Sequence, residues 1–581
     1  MANLNHKGTK AQIKLVSLCL GGWSLLDSRA MARFVFGSLG FDAPASEIMA
    51  TRLDEVIPVL EFAERESEAG AWVAVMLSYE AAPAFDPVLA VHQASDFPLA
   101  WAAAFTEASV ISTQGATINS NSWAARVSRD EYDAAVTRIR DLIAAGDTYQ
   151  VNYSFPLTSI FKGDTYAWFR SLCLAQGAQY SAYLDLGRFK VLCLSPELFF
   201  ERRGDEVITR PMKGTIHRGR WPAEDRELAD WLRQSAKDRA ENVMIVDLLR
   251  NDLGKVSVPG SVRVSSLFDI ERFETVWQMT STVESTLRDY TSLVDLMSAL
   301  FPCGSITGAP KIRTMEIIRE LERFPRGPYT GTIGLLEPGG NCVFNVAIRT
   351  VVVDTESNEA TFGVGGGVTI DSTAEREYEE CLVKSRFLLT SPVEFQLFES
   401  MLLEDGEYFL LERHLERLKN SAEYFGFVFP EEEIKSELAR VSGTFKVRLV
   451  LWKDGQIETR ISRIENADLV KHIGLASSPI DSSDRFLYHK TTLRDYYSED
   501  VIFWNERGEI TESRIANVVV PIDGELYTPP ISSGLLPGTF REQLLEEGKI
   551  KERVITIDEL PNEFYLINSV RKWVRSVKQD L

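Results

Sequence analysis

Residues 195–219, SPELFFERRGDEVITRPMKGTIHRG, leave this chain few ways to fold. An apolar run at 191–194 leads in, and a Gly204-Asp205 turn followed by Val207, Ile208 and Thr209 reads as a hairpin whose second strand delivers Pro211-Met212-Lys213-Gly214-Thr215. Two strands side by side bring a carboxyl, Glu197, and an amine, Lys213, into one pocket. Gly214 lets a ligand approach the backbone, and Thr215 offers a hydroxyl. A lysine after a strand is more often solvated, and this stretch by itself leaves both readings open.

Helix and strand patterns alternate around it, which predicts a mixed α/β chain of the α+β type. A helical pattern covers about 47–69 and a strand-like run 71–78, ending in YEAAPAFDP. Residues 128–145 carry a helical face through Tyr132, Ala135, Ile139, Leu142 and Ile143, stopped by Gly146-Asp147, and YQVNYSFPL reads as a strand. Residues 224–252 read as one long helix with an apolar face through Leu228, Trp231, Leu232, Val243, Val246 and Leu249. On it, Lys237, Asp238, Arg239 and Glu241 form a charged cluster that i,i+4 pairing of Lys237 with Glu241 explains as a solvated face. Gly365, Gly366 and Gly367 either let backbone amides approach an anion or mark a bulged strand. In the helix expected at 371–388, Glu377 and Glu380 share a face, a spacing that suits a hard cation such as Mg2+.

The formal charge of −21 argues against nucleic acid or an anionic membrane as partner, so local cations must draw any anionic substrate. Six cysteines without CxxC spacing fit a reducing, cytoplasmic setting rather than a zinc site or disulfides. Lys7, Lys10 and Lys14 precede an apolar run at 15–26. Gly21, Gly22, Trp23 and Ser24 interrupt it, and an early strand and turn is expected there rather than a signal peptide or membrane span.

SPELFF, RPMKGT, SAKDRAENVMIVDLLRNDLGKV, FPCGSITGAPKIRTMEII and GVGGGVTIDSTAEREYEE resemble, in this order, the chorismate-utilising enzymes: anthranilate, isochorismate and aminodeoxychorismate synthases. The resemblance spans about 121–390, with residues 1–120 as an N-terminal subdomain. It implies a lysine nucleophile at Lys213, where anthranilate synthases carry an alanine, and a general acid at Glu197. It also implies Mg2+ held by Glu241 and Glu380, with Glu377 beside them, taking the ring carboxylate of chorismate near Gly214 and Thr215. Tyr329, Arg349 in the strand FNVAIRT, and a glycine loop of Gly365, Gly366 and Gly367 would take the enolpyruvyl side. Gln278 stands where many members have a histidine, so no proton role carries over to it. Cys19-Leu20-Gly21 has only a faint likeness to an amidotransferase nucleophile turn, without its partners, so ammonia is expected from a separate glutamine amidotransferase subunit.

Near Ser391-Pro392 the pattern restarts as strand, turn, strand and helix. HLERL, YHKTTLRDYY, GEITESRIANVVV and LLPGTFR resemble the class IV pyridoxal-phosphate enzymes, which include aminodeoxychorismate lyase and several aminotransferases, over 393–581. The resemblance implies that Lys490 binds pyridoxal 5'-phosphate covalently and that Glu512 pairs with its pyridine nitrogen. Arg417, Gly538 and Thr539 would hold the phosphate, and Asn517 would shape the loop around the cofactor. The segment between Lys490 and Glu512 is about a helix shorter than usual for that family. Together the resemblances imply a two-step synthesis of 4-aminobenzoate from chorismate. The alternatives are synthase activity with a non-catalytic C-terminal module, or with an amino-acid transaminase.

Overall fold

The computed structural model describes residues 33–111, 122–389, 393–464, 470–493 and 501–579. The early strand and turn expected at 15–26, Cys19, and the restart at Ser391-Pro392 lie outside the described residues. The chain divides into two compact units. One runs up to Ile216 and resumes at Trp231; the other combines His217–Asp230 with the chain from Val393 onward.

The first unit is built on two ten-stranded antiparallel sheets. Alternation along Ala100–Phe105 shows why they stack: Trp101, Ala103 and Phe105 face a core shared with Phe34, Val191 and Cys193 of the other sheet, while Ala100, Ala102 and Ala104 face a second core under helices. Helices Val56–Glu68, Ala236–Gly254 and Leu293–Leu300 cover that outer face. Arg129–Ala144, Thr165–Gln176 and Ala374–Ser385 cover the other sheet. Strands from before residue 111 lie in both sheets: Phe34–Phe36 in one, Ser46–Ala50, Trp72–Leu77 and Ala100–Phe105 in the other.

Two neighbouring corners carry the chain between the sheets. Phe189–Ser195 lies in one sheet and Leu198–Arg203 in the other; Cys342–Val346 and Thr350–Asp354 make the same change in reverse. The corners are tied together, because Val346 N–H donates to the Glu197 carbonyl (3.1 Å) and Leu194 N–H to the Arg349 carbonyl (3.0 Å). Glu197 and Arg349 sit at these corners.

Several expectations change. The hairpin forms, but its second strand stops at Arg210; Pro211 has no N–H for the ladder, and Lys213 rides a separate strand, Met212–His217, on the far side of Val276–Thr286. The helix expected over 224–252 is two, Pro222–Gln234 and Ala236–Gly254, because Ser235 adopts extended backbone and caps the second by accepting from Asp238 N–H. Trp231 and Val243, assigned to its apolar face, are exposed. Residues 47–69 split into strand Ser46–Ala50 and helix Val56–Glu68. Arg349 is not in a strand; it has a φ of 51° at the sheet change. The glycines at 363–367 form neither a loop nor a bulge but continue strand Glu359–Val368 in register with Gln150–Ile160. The helix at 128–145 appears as Arg129–Ala144, with Ser128 and Glu131 forming a capping box.

The second unit joins a four-stranded sheet, including Leu397–Glu404, Phe445–Leu451 and Ile457–Ser462, to an eight-stranded one that contains Ile510–Ser513, Asn517–Ile522, Glu563–Asn568 and Lys572–Lys578. Helix Leu411–Phe425 packs its apolar stripe, Leu415, Leu418, Ala422 and Phe425, against the smaller sheet. Among the described residues no helix is long and apolar enough to cross a membrane.

One buried contact fixes the approach to Tyr329. The Glu80 carboxylate, itself buried, accepts the N–H groups of Arg326 (2.7 Å) and Gly327 (2.9 Å). The Arg326 guanidinium pairs with Glu322 (2.6 Å) and donates to the carbonyls of Asn152 and Ile306. Replacing Glu80 with alanine leaves two backbone donors without acceptors. Stability is expected to fall by about 3 kcal/mol, read as a lower midpoint of thermal unfolding. Glu80→Gln loses less, since one oxygen remains.

Candidate active site

The first cluster is assembled at the sheet corner. Ser195 donates its hydroxyl to the Val346 carbonyl (2.6 Å) and accepts Glu197 N–H (3.1 Å), which turns the Glu197 side chain inward. That carboxyl is 3% exposed and accepts from the Ser305 hydroxyl at 2.7 Å. Burial pushes its pKa up to about 7, against the Ser305 hydrogen bond and the charge of Lys213, which pull it down.

Lys213 shows the opposite shift. Desolvation lowers its pKa although Glu241, Glu197 and Glu380 all act to raise it, and Lys384 adds to the lowering. Both groups are therefore pushed toward their neutral forms. Strand Glu359–Val368 runs close by: a Cβ on Gly367 would overlap the Gln150 amide nitrogen and stand 3.2 Å from Lys213 Nζ. A Cβ on Gly366 would meet Glu377 Oε2 at 3.2 Å, Lys384 Nζ at 3.8 Å and Glu380 Oε1 at 3.9 Å. Glycine at these positions lets the amine and the carboxylates press onto backbone.

The three glutamates differ. Glu241 and Glu377 are raised by burial, and each feels other carboxylates, Glu241 from Asp238 and Glu377 and Glu377 from Glu380. Glu380 is lowered by Lys384, its partner at 2.7 Å, and Lys384 also donates to the Gly365 carbonyl (2.9 Å). Among the described residues no three acidic, histidine or cysteine side chains form a ready-made metal cage. The donor set still suits Mg2+, which uses one or two protein carboxylates and completes its octahedron with water and substrate oxygen. A divalent cation would relieve the crowding that raises Glu241 and Glu377.

Gly214, at φ 91°, lies against Asp238, while the exposed Thr215 donates its hydroxyl to Gln278 (2.9 Å). The Tyr329 ring covers Gly363, where any Cβ would overlap it, and its hydroxyl lies 3.4 Å from Ser154 Oγ. Arg349 donates to the Gln176 amide oxygen (2.5 Å), and desolvation brings its pKa down to about 10. Among the described residues no carboxylate forms an ion pair with it, which leaves the guanidinium fork suited to an anionic ligand. Contacts and charges thus gather Lys213, Glu197, Glu241, Glu377, Glu380, Gly366 and Gly367; among the described residues the side chains of Thr215 and Arg349 make no hydrogen bond to that group.

Sequence reasoning missed Ser305 and Lys384. Ser305 lies inside the motif FPCGSITGAPKIRTMEII, but nothing local pairs it with Glu197, 108 positions away. Lys384 had a local signal: it follows Glu380 by four positions on the helix Ala374–Ser385.

The second unit brings its own set together. Arg417, on helix Leu411–Phe425, clamps Glu399 with two hydrogen bonds (2.8 and 2.7 Å) and donates to the Pro537 carbonyl (2.8 Å). His414 Nδ1 meets the same carboxylate at 2.7 Å, and its Nε2 lies 3.3 Å from the Thr539 hydroxyl. Burial opposes ionisation of Glu399, but Arg417 and His414 outweigh it and hold the carboxyl well below the usual range. Thr539 opens the helix Thr539–Glu546, whose N-terminal amides suit a phosphate. Gly538 before it admits no side chain, since a Cβ would overlap Asn517 Oδ1. Asn517 donates to the Leu536 carbonyl (2.9 Å) and to the buried Glu512 (3.3 Å). Lys490 follows the short helical turn Arg485–Tyr488; its carbonyl accepts Phe398 N–H (3.0 Å) and its Nζ stands 5.3 Å from the Phe398 ring centre. A phosphate cradle, a buried carboxylate and a lysine therefore fit a phosphorylated pyridine cofactor. Arg417 is already engaged by Glu399, which orients its fork rather than leaving it mobile.

The family model for chorismate binding enzymes matches residues 111–390, and that for class IV amino-transferases matches 396–467 and 479–578. Aminodeoxychorismate synthase component 1 of Klebsiella aerogenes is 43% identical over 269 residues, 46% of this chain and 59% of that protein. An anthranilate synthase component 1 of Haloarcula marismortui is 40% identical over 353 residues, 58% of this chain and 71% of that protein. The crystal structure of anthranilate synthase component I from Streptococcus pneumoniae shares the fold, with a TM-score of 0.54 and 23% identity over 67% of this chain and all of that one. The chain spans 56–59% of the length of the first curated relatives it matches. With the corner carboxyl, the strand lysine and the glycine strand described above, these matches lead to one conclusion: the chain belongs to the chorismate-binding enzyme family and carries, after that domain, a second one matching the class IV amino-transferases.

Proposed function

We propose that this protein makes 4-aminobenzoate in two steps: amination of chorismate to 4-amino-4-deoxychorismate in the first unit, then release of pyruvate in the second. The observation that carries the reading is the pairing of a desolvated amine, Lys213, with a buried carboxyl, Glu197, both shifted toward neutrality. A neutral amine is a nucleophile and a protonated carboxyl is an acid, so the pair can supply both halves of a substitution.

In the first step the neutral Lys213 Nζ bonds to C2 of chorismate, the C1=C2 and C5=C6 double bonds shift to C1=C6 and C4=C5, and the C4–O bond breaks as Glu197 gives its proton to the departing hydroxyl, which leaves as water. Ammonia then bonds to C4, losing a proton, the two double bonds shift back, and the lysine amine departs from C2. Glu241, Glu377 and Glu380 would hold Mg2+, which when bound neutralises the ring carboxylate. Arg349, Tyr329 and the 365–367 backbone receive the enolpyruvyl carboxylate. Ammonia comes from a separate glutamine amidotransferase subunit.

In the second unit Arg417, Gly538 and Thr539 would hold the phosphate of pyridoxal phosphate, Glu512 its ring nitrogen, and Lys490 its carbonyl carbon. When bound, the cofactor withdraws electrons from the substrate's amine-bearing carbon and acidifies its C–H. The Lys490 amine would take the C4 proton of the substrate, the C3–O bond would break, and the departing enolpyruvate, once protonated, would leave as pyruvate as the ring becomes aromatic. Asn517 keeps Glu512 oriented.

The likeness to an anthranilate synthase favours a second reading, amination at C2 instead of C4. Lys213 discriminates between the two, because only the C4 route needs an amine to occupy C2 first. Incubation with chorismate, ammonium, Mg2+ and pyridoxal phosphate is expected to yield 4-aminobenzoate and pyruvate in equal amounts; 2-aminobenzoate would refute the reading. Lys213→Ala should slow the 4-amino product by at least about 100-fold, whereas Lys490→Ala should accumulate 4-amino-4-deoxychorismate, both measured by chromatography.

The first step should follow a bell-shaped pH profile, limited on the acid side by protonation of Lys213 and on the alkaline side by ionisation of Glu197. Ser305→Ala removes a hydrogen bond that favours the ionised carboxyl, so Glu197 keeps its proton to higher pH. The alkaline limb should move upward by about one unit; an unmoved limb would separate Ser305 from the acid.

A further inference from the structure

The stretch His217–Asp230 follows directly on the strand that carries Lys213, yet it belongs to the second unit, outside the residues that match the class IV amino-transferases. Its packing there is specific. Arg218 is buried, held by Asp225 through two hydrogen bonds (2.8 and 2.7 Å), with its guanidinium 4.4 Å from the Tyr424 ring centre. The Tyr424 hydroxyl donates to the Gly219 carbonyl (2.6 Å), and a Cβ on Gly219 would overlap Asp225 backbone, so this tight loop needs glycine.

From that anchor the stretch reaches the residues just before Lys490. The Tyr424 ring lies 4.4 Å from the His489 imidazole. Arg220 donates to the Ser482 carbonyl (3.3 Å) and lies 3.5 Å from the Tyr488 hydroxyl, which itself donates to Ser482. The Trp221 ring sits 5.0 Å from that of Tyr488. Burial pushes His489 down to about 3, so it packs as a neutral ring. Tyr488 and His489 are thus gripped by residues 218–221 on one side, while Phe398 N–H holds the Lys490 carbonyl on the other.

We infer that residues 218–221 are a positioning element for Lys490, a part of the second active site supplied by a segment that precedes it by more than 260 positions in the chain. A lysine has four rotatable side-chain bonds, so the aim of its amine depends on how firmly its backbone is held. None of these residues needs to touch the cofactor. The inference rests on the proposal that Lys490 binds the cofactor.

The test uses the full chain with Trp221→Ala and Arg220→Ala, beside the conservative Trp221→Phe and Arg220→Lys. Two quantities are read: the absorbance of lysine-bound cofactor on titration with pyridoxal phosphate, and the rate at which an amine-acylating reagent labels Lys490 in cofactor-free protein, followed by mass spectrometry. The alanine variants should lose about tenfold in cofactor affinity and change the labelling rate by a similar factor, while the conservative variants recover most of both. Wild-type values of both quantities in the alanine variants would overturn the inference. Should the wild-type chain itself show no lysine-bound absorbance, the cofactor reading fails instead, and the labelling rates alone decide whether 218–221 aims Lys490.

Discussion

Taking a carboxyl and an amine out of water penalises the charge of each, and the first candidate site is organised around that cost. Attraction between Glu197 and Lys213 would keep both ionised, yet desolvation outweighs it in both groups. The balance depends on enclosure. Enclosure in turn depends on the corner where the chain leaves one sheet for the other, because Ser195 and Val346 tie that corner shut and turn Glu197 inward.

The glycine strand supplies the other wall. A sheet strand normally projects a side chain to each face, and here that would overlap Gln150 and crowd Lys213 and Glu377. Beyond Phe362 this strand is paired only with Gln150–Ile160, since its partner on the other side reaches no further than Val351 in register. A backbone edge that has no neighbouring strand among the described residues stands beside a cluster of opposed charges, and Lys384 already uses one of its carbonyls.

In the second unit the ordering element is a buried carboxylate again, with the opposite outcome. Glu399 stays ionised because Arg417 and His414 both bind it, and through them it steadies the Arg417 fork and Thr539. The inserted stretch His217–Asp230 uses the same device at smaller scale, Arg218 with Asp225 beneath an aromatic ring. Paired buried charges of this kind demand one geometry more than they add stability, because breaking one leaves the other without compensation.

Much of the candidate machinery was legible in the sequence because it is local. The helical face within 128–145, the Gly204 turn, Glu377 and Glu380 on one helical face, and the ordered motifs of two families are each written within a few residues. Where the reading failed, two signals were local and lost within a longer pattern, Ser235 capping a new helix through Asp238 and Pro211 ending a ladder for want of an N–H, whereas the positive φ of Arg349 belongs to the corner where the chain changes sheets. The amino-acid sequence by itself determined which chemical groups are present and the spacing that sets local structure. Only the tertiary structure decided which of them are deprived of water and which face one another, as with Ser305 and Glu197 or Trp221 and Tyr488, because desolvation and long-range contact are properties of the packed chain and not of any window along it.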